Sequence, residues 1–121
     1  MTRSASLRGK RILVVEDDYY LAQDTQDALE QAGAQVIGPF ASQRDAMGAA
    51  DPARIDCALL DINLGGGPSF ALAETLEGRR IPFLFVTGYD ADVVPEKFRA
   101  NPRVEKPMRT VDLLAAVEAL A

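Results

Sequence analysis

Four places in the sequence set chemically able side chains directly after short apolar runs. Ile12-Leu13-Val14-Val15 leads into Glu16-Asp17-Asp18, and Cys57-Ala58-Leu59-Leu60 leads into Asp61. Phe83-Leu84-Phe85-Val86 leads into Thr87, and a weaker stretch around Val104 leads into Lys106-Pro107. Carboxylates gathered at one edge repel and raise one another's proton affinity unless a cation sits among them. An all-oxygen set without His or Cys suits Mg²⁺, which keeps several waters and accepts phosphate oxygens. A lysine and a hydroxyl aimed at the same point fit a phosphoryl group, Lys106 by charge and Thr87 by a hydrogen bond. Asp61 stands alone at the tip of its run and is followed by Ile62-Asn63-Leu64-Gly65-Gly66-Gly67. A carboxylate so placed can attack phosphorus and form an aspartyl phosphate. The glycines let the backbone turn so that a carbonyl near Asn63 can face the metal.

Taken singly, each piece has a plainer explanation. An acidic cluster before a helix complements the helix dipole, and Asp before glycines is a common turn former. What weighs against coincidence is joint placement, because in-line phosphoryl transfer needs chiefly positioning and cation stabilisation of the equatorial oxygens. Ligands of an open α/β sheet bind beyond the carboxyl ends of the strands, and that is where all four groups fall.

The elements that must position them follow from periodicity. The β-branched run 12–15 predicts a strand buried on both faces. Leu21, Thr25, Ala28, Leu29 and Ala32 recur at helical spacing, and Gly33 follows as a stop signal. Gln35-Val36-Ile37 predicts a second strand, and Ser42 with Asp45 resembles a capping box for a second helix. Cys57–Leu60 is a third strand. A third helix opens at Pro68-Ser69, with Leu72, Ala73 and Leu76 on one face and Gly78 at its end. Phe83–Val86 is a fourth strand and Val104 lies in a weak fifth. Leu113, Leu114, Val117 and Leu120 make the final helix. Five strands alternating with helices imply a doubly wound parallel sheet, α/β in class, covered by helices on both faces. Pro95 falls inside the expected fourth helix, which should be short, starting near it, or be interrupted.

Composition narrows the function classes. The chain has 121 residues, enough for one core. Residues 1–9 read as a flexible tail without an apolar signal segment, and 10–121 as the domain. Eighteen acidic against thirteen basic residues give a net charge of -5, which argues against nucleic acid or an anionic membrane as the main partner. Histidine is absent, so no His base, triad or metal ligand operates within the chain. The single Cys57 cannot form an internal disulfide, and a reducing, cytoplasmic location is expected.

Over residues 10–121 the sequence resembles the receiver domain of two-component response regulators. The motifs that carry the likeness are Leu13-Val14-Val15-Glu16-Asp17-Asp18, Leu59-Leu60-Asp61-Ile62-Asn63-Leu64, Val86-Thr87-Gly88 and Glu105-Lys106-Pro107. The resemblance implies a flavodoxin-like (CheY-like) fold with strand order 2-1-3-4-5. It also implies that Asp61 takes a phosphoryl group from the phosphohistidine of a sensor histidine kinase or a histidine phosphotransfer protein. Glu16 and Asp17 would hold Mg²⁺ with Asp61 and the main-chain carbonyl of Asn63. Thr87 would be the switch hydroxyl, and Lys106 the ion-pair partner of the phosphoryl group.

Pro82-Phe83-Leu84-Phe85-Val86-Thr87-Gly88-Tyr89 is similar to the FATGUY variant of single-domain regulators, with Val86 in place of alanine. That variant is associated with general stress signalling and with kinases of the HWE or HisKA2 type. Most receivers carry Tyr or Phe three residues before the lysine, where this chain has Arg103, and Tyr89, two residues after Thr87, is either a substitute switch residue or a partly exposed loop tyrosine. The segment 88–101 is expected to be a mobile signalling surface. Because the final helix ends the chain, a stand-alone module is expected, working through protein–protein contact or as a phosphate sink.

Other classes fit less well. Toprim nucleases and haloacid-dehalogenase-type phosphatases expect Asp-x-Asp where this chain has Asp61-Ile62-Asn63. A receiver-like module that only binds, without being phosphorylated, would not need the full set Glu16, Asp17, Asp61, Thr87 and Lys106.

Overall fold

The computed structural model describes residues 6–62, 70–88 and 94–120. Five parallel strands form one sheet in the order β2-β1-β3-β4-β5: β1 (Arg11–Val15), β2 (Gln35–Phe40), β3 (Cys57–Asp61), β4 (Phe83–Thr87) and β5 (Arg103–Glu105). Among the described residues four α-helices cover it: α1 (Tyr19–Gln31), α2 (Gln43–Ala46), α3 (Ala71–Gly78) and α4 (Thr110–Leu120). This is the CheY-like flavodoxin fold.

Successive residues of a strand point to opposite faces, and here each face has its own core. Leu13, Val15, Ala58, Leu60, Phe83 and Phe85 pack with Leu72, Ala73, Leu76, Val94 and Phe98 on one side. Ile12, Val14, Cys57, Leu59, Leu84 and Val86 pack with Leu29, Ala32, Leu113 and Val117 on the other. That two-sided burial is why the central strands read as unbroken apolar runs. Cys57 is fully buried, and burial pushes its thiol up to about 11.

The predicted caps form. Ser42 accepts from the Asp45 N–H at 3.1 Å, although α2 then runs only to Ala46 before a 3₁₀ turn, Met47–Ala49. Gly33 follows α1 at φ +99°, and a Cβ there would lie 3.0 Å from the Arg8 backbone. Strand β2 is longer than the sequence indicated, and its register slips between Leu13↔Ile37 and Val15↔Phe40. Gly38, at φ +104° beside the Val14 carbonyl, supplies the conformation that slip needs.

One expectation changes. The tail is not loose over residues 6–9: Leu7 is buried in the α1/α4 core, its N–H donates to Ala32 O at 3.0 Å, and Ser6 Oγ donates to Glu118 at 2.7 Å. One well-placed apolar side chain is enough to dock this segment; residues 1–5 lie outside the described residues. Between β4 and β5 the described residues hold a 3₁₀ turn, Glu96–Phe98, with Pro95 at its N-cap, a short helical piece starting where Pro95 led one to expect it. Proline fixes φ and lacks an N–H, which suits a helix start. Phe98 then anchors the turn in the core at 1% exposure.

Candidate functional site

The carboxyl ends of β1, β3, β4 and β5 bring the expected side chains together. Asp61 is the last residue of β3, in register with Val86 of β4, and its side chain is almost wholly buried. Glu16 follows β1, where its N–H donates to Phe40 O at 2.8 Å and pins the strand end. One carboxylate oxygen from each of Glu16, Asp17 and Asp61 lies within 4.8 Å of the others. Lys106 reaches in from beyond β5 and donates to Asp61 Oδ2 at 2.9 Å, with Glu16 Oε1 at 3.2 Å. The lysine itself is placed by the Thr87 carbonyl, which accepts from the Lys106 N–H at 2.6 Å.

The neighbouring acidic residue, Asp18, behaves differently. Its side chain caps α1 by accepting from the Leu21 N–H at 3.0 Å, while its own N–H donates to Glu16 Oε2 at 3.1 Å. The acidic triplet thus splits into a capping residue and two carboxylates turned to the site, with the cap orienting Glu16.

Charge at this cluster is unbalanced. Burial, and then the hydrogen bond and charge of Asp61, push the Glu16 carboxyl up to about 8, against the opposing pull of the Asp18 N–H and Lys106. Burial alone would lower Lys106, but hydrogen bonding to Asp61 and the charges of Glu16 and Asp61 outweigh it, so its proton is held more tightly than usual. Three acidic groups face one ammonium, and when Glu16 gives up its proton they leave an excess of negative charge in a partly dry pocket. That excess, on hard oxygen donors, fits a divalent cation such as Mg²⁺.

Thr87 supplies the second fit. Its side chain is fully buried, and among the described residues its hydroxyl is the one buried polar side-chain atom without a hydrogen-bond partner. A buried unpaired hydroxyl costs on the order of 1–3 kcal/mol, which a hydrogen-bond acceptor entering the site would recover. Arg103 is exposed and carries no ring into the site, its guanidinium lying 3.5 Å from Arg99 O. Asn63, Tyr89, the glycines 65–67 and the helix start at Pro68-Ser69 lie outside the described residues. The sequence reading missed the Glu16–Lys106 pair and the Phe98 anchor; no local pattern signals a contact between such distant positions.

These features coincide with those of known proteins. A model of the response regulator receiver domain matches residues 12–118. Regulatory protein VanR of Enterococcus faecium is 26% identical over 113 residues, covering 90% of this chain and 48% of that protein. The phyllosphere-induced regulator PhyR of Methylorubrum extorquens is 30% identical, covering 88% of this chain and 41% of its own. The chain thus spans about half the length of the curated relatives it matches. The solution structure of SdrG from Sphingomonas melonis Fr1 superposes with a TM-score of 0.81 at 37% identity, covering 92% of this chain and 95% of that one. A BeF3-activated conformation of SdrG superposes with a TM-score of 0.76. Receivers of this kind are signalling modules that take phosphate from histidine kinases and bind Mg²⁺ at an acidic pocket. With the motif set, the sheet order and the acid–lysine cluster all in agreement, the chain belongs to the response regulator receiver domain family.

Proposed function

We propose that Asp61 accepts a phosphoryl group from a protein phosphohistidine, donated by a sensor histidine kinase or a histidine phosphotransfer protein, and that the modified domain then acts on another protein or serves as a phosphate sink. The observation that carries this reading is a buried aspartate held by Lys106 beside two further carboxylates, with an unpartnered buried hydroxyl on the adjacent strand.

In the transfer, an Asp61 oxygen forms the O–P bond as the donor's N–P bond breaks, and the electron pair of that bond stays on the imidazole nitrogen. Lys106 faces Asp61 and Glu16 beforehand and is placed to pair with a phosphoryl oxygen afterwards. The Thr87 hydroxyl donates to another oxygen, ending its unpartnered state. Glu16, Asp17, Asp61 and the Asn63 carbonyl would hold Mg²⁺, which when bound neutralises charge on the transferring oxygens. Beside the acid pair, Tyr19 and Tyr20 are 73% and 79% exposed, and a cavity of about 200 Å³ opens between α1 and the end of β2. They offer an apolar rim to a donor protein.

The Pro82–Tyr89 motif supports a FATGUY-like regulator served by an HWE or HisKA2 kinase in stress signalling, with Tyr89 as the switch residue. No helix among the described residues is long and apolar enough to cross a membrane, and a cytoplasmic location is part of the proposal.

The deciding experiment incubates the protein with Mg²⁺ and acetyl phosphate. An acid-stable, alkali-labile adduct on the native chain, absent from Asp61→Asn, is expected. No adduct, or an equal one on the variant, would overturn the reading.

A further inference from the structure

We propose that the amino edge of the sheet, at the pole opposite Asp61, is a docking surface for a short acidic segment of a partner protein, held by Arg54, Arg79 and Arg80. The proposal stands on this edge alone and does not depend on the phosphoacceptor role of Asp61.

Because all the strands are parallel, their carboxyl ends share one edge of the sheet and their amino ends the other. The carboxyl edge collects Glu16, Asp17 and Asp61, whereas the amino edge collects arginines. Arg54 lies just before β3, and Arg79-Arg80 lie just before β4. These strands are neighbours, and the Ala58 N–H donates to Pro82 O at 3.0 Å, so the two approaches lie side by side. Arg54 and Arg79 lean on the same short segment, Arg54 donating to Gly48 O at 3.4 Å and Arg79 to Ala50 O. All three arginines are exposed.

Their charge is not spent inside the fold. The carboxylates of this edge are committed elsewhere: Asp56 pairs with Arg11 at 3.1 Å, Asp51 accepts from the Ala53 N–H at 2.9 Å, and Glu77 faces Lys97 at 3.6 Å. Among the described residues Arg54, Arg79 and Arg80 form no ion pair. A bond to a neutral carbonyl uses one donor of a five-donor fork and leaves the rest for a carboxylate. Arg80 adds an independent sign. It stands at φ +59°, directly after the Arg79 C-cap of α3, in the left-handed conformation that helix ends usually give to glycine. Its N–H donates to Glu77 O at 3.1 Å, and the Ile81 N–H to Leu76 O at 2.9 Å, which closes the helix stop. An arginine there works against the backbone's preference, and no carboxylate among the described residues pairs with it.

Arginine clusters recognise acidic motifs through paired N–H···O bonds. A patch built on the starts of two adjacent strands, roughly 5 Å apart, takes a few residues of chain. The net charge of -5 repels a long polyanion such as nucleic acid, which favours a short acidic stretch carried by a protein. A partner held at this pole leaves the carboxyl edge uncovered.

The test titrates the ¹⁵N-labelled full chain at low salt with a short peptide of alternating Asp and Glu, and separately with a short single-stranded oligonucleotide. Saturable amide shifts confined to 48–56 and 78–82 are expected with the peptide, weakening as salt is added. Arg54→Gln and Arg79→Gln should each weaken binding about threefold, and both together with Arg80→Gly about thirtyfold. Arg80→Gly alone should raise the urea midpoint while weakening peptide binding, a pairing that an arginine with a purely structural role would not show. Shifts that do not saturate, that centre on Lys97 or Lys106, or that persist in the triple variant would overturn the proposal, as would a lowered urea midpoint in Arg80→Gly. Tighter binding of the oligonucleotide at the same residues would overturn it in favour of a nucleic-acid surface.

Discussion

Raising the pH through neutrality in the absence of divalent metal should weaken this domain, and Mg²⁺ should reverse the loss. Glu16 is the cause. Its carboxyl moves from an ordinary 4.5 in the unfolded chain to about 8 in the folded one, through burial first and then the neighbouring Asp61. Below about pH 4.5 both states hold the proton and Glu16 is neutral in its effect. Between 4.5 and 8 the folded chain keeps a proton the unfolded chain has lost, so stability falls as pH rises, and the loss is complete above 8. Each tenfold change in proton affinity is worth about 1.36 kcal/mol, which sets a ceiling of roughly 5 kcal/mol. Water at the pocket mouth and the nearby Lys106 ammonium reduce this to an expected loss of about 2 kcal/mol. For a domain of this size that is a fall in Tm of roughly 8 °C. The assay is thermal unfolding by circular dichroism from about pH 5 to about pH 8, in chelator and in Mg²⁺. Glu16→Gln, which keeps the shape and cannot ionise, should remove the slope in chelator and gain less from Mg²⁺. A flat native profile in chelator, or the same slope in Glu16→Gln, would refute the reasoning. On the acid side Asp56, held below its usual range by hydrogen bonds from Arg11, adds stability that is lost only as pH falls through its lowered midpoint, so the two windows do not overlap.

Thr87→Val should stabilise the unmodified protein by about 1 kcal/mol, since it exchanges an unpartnered buried hydroxyl for a methyl group of similar size; urea unfolding checks this, and a loss of stability would show that the hydroxyl is satisfied. Lys106→Met leaves Asp61 and Glu16 facing each other without a counter-charge and should cost roughly 2–3 kcal/mol in chelator, with most of it restored by Mg²⁺; a cost unchanged by Mg²⁺ would contradict the charge argument. Gly38→Ala should cost about 2–4 kcal/mol, because its Cβ would sit 2.8 Å from the Phe40 nitrogen at a φ of +104°; equal denaturation midpoints would count against the register slip as described.

Much of this was legible in the sequence because the strands are buried on both faces and announce themselves as β-branched or aromatic runs, each ending in a group with chemistry. Glu16, Asp17, Asp61, Thr87 and Lys106 all fall where the runs ended. What stayed hidden depends on contacts between distant residues. Nothing local distinguishes Asp18 as a cap from Asp17 as a site residue, since the difference lies in which way each side chain turns. Leu7 reads as part of a polar tail until α1 and α4 provide a place for it. Pro95 signalled an interrupted helix, but the anchoring of the turn by Phe98 against rings from β4 and α3 has no periodic signature.

Cys57 gives the molecule a built-in clock. The chain's single thiol lies at the start of the central strand, in register with Ile12 on one side and four residues from Asp61 along its own strand. Sealed from solvent and held in its protonated form at neutral pH, it can react with a disulfide reagent only when β3 leaves the sheet. The rate of thiol labelling therefore counts openings of the very strand that ends in Asp61. Adding Mg²⁺ or a phosphodonor should slow that count by the factor with which each ligand favours the closed sheet, a measurement that needs no engineered probe.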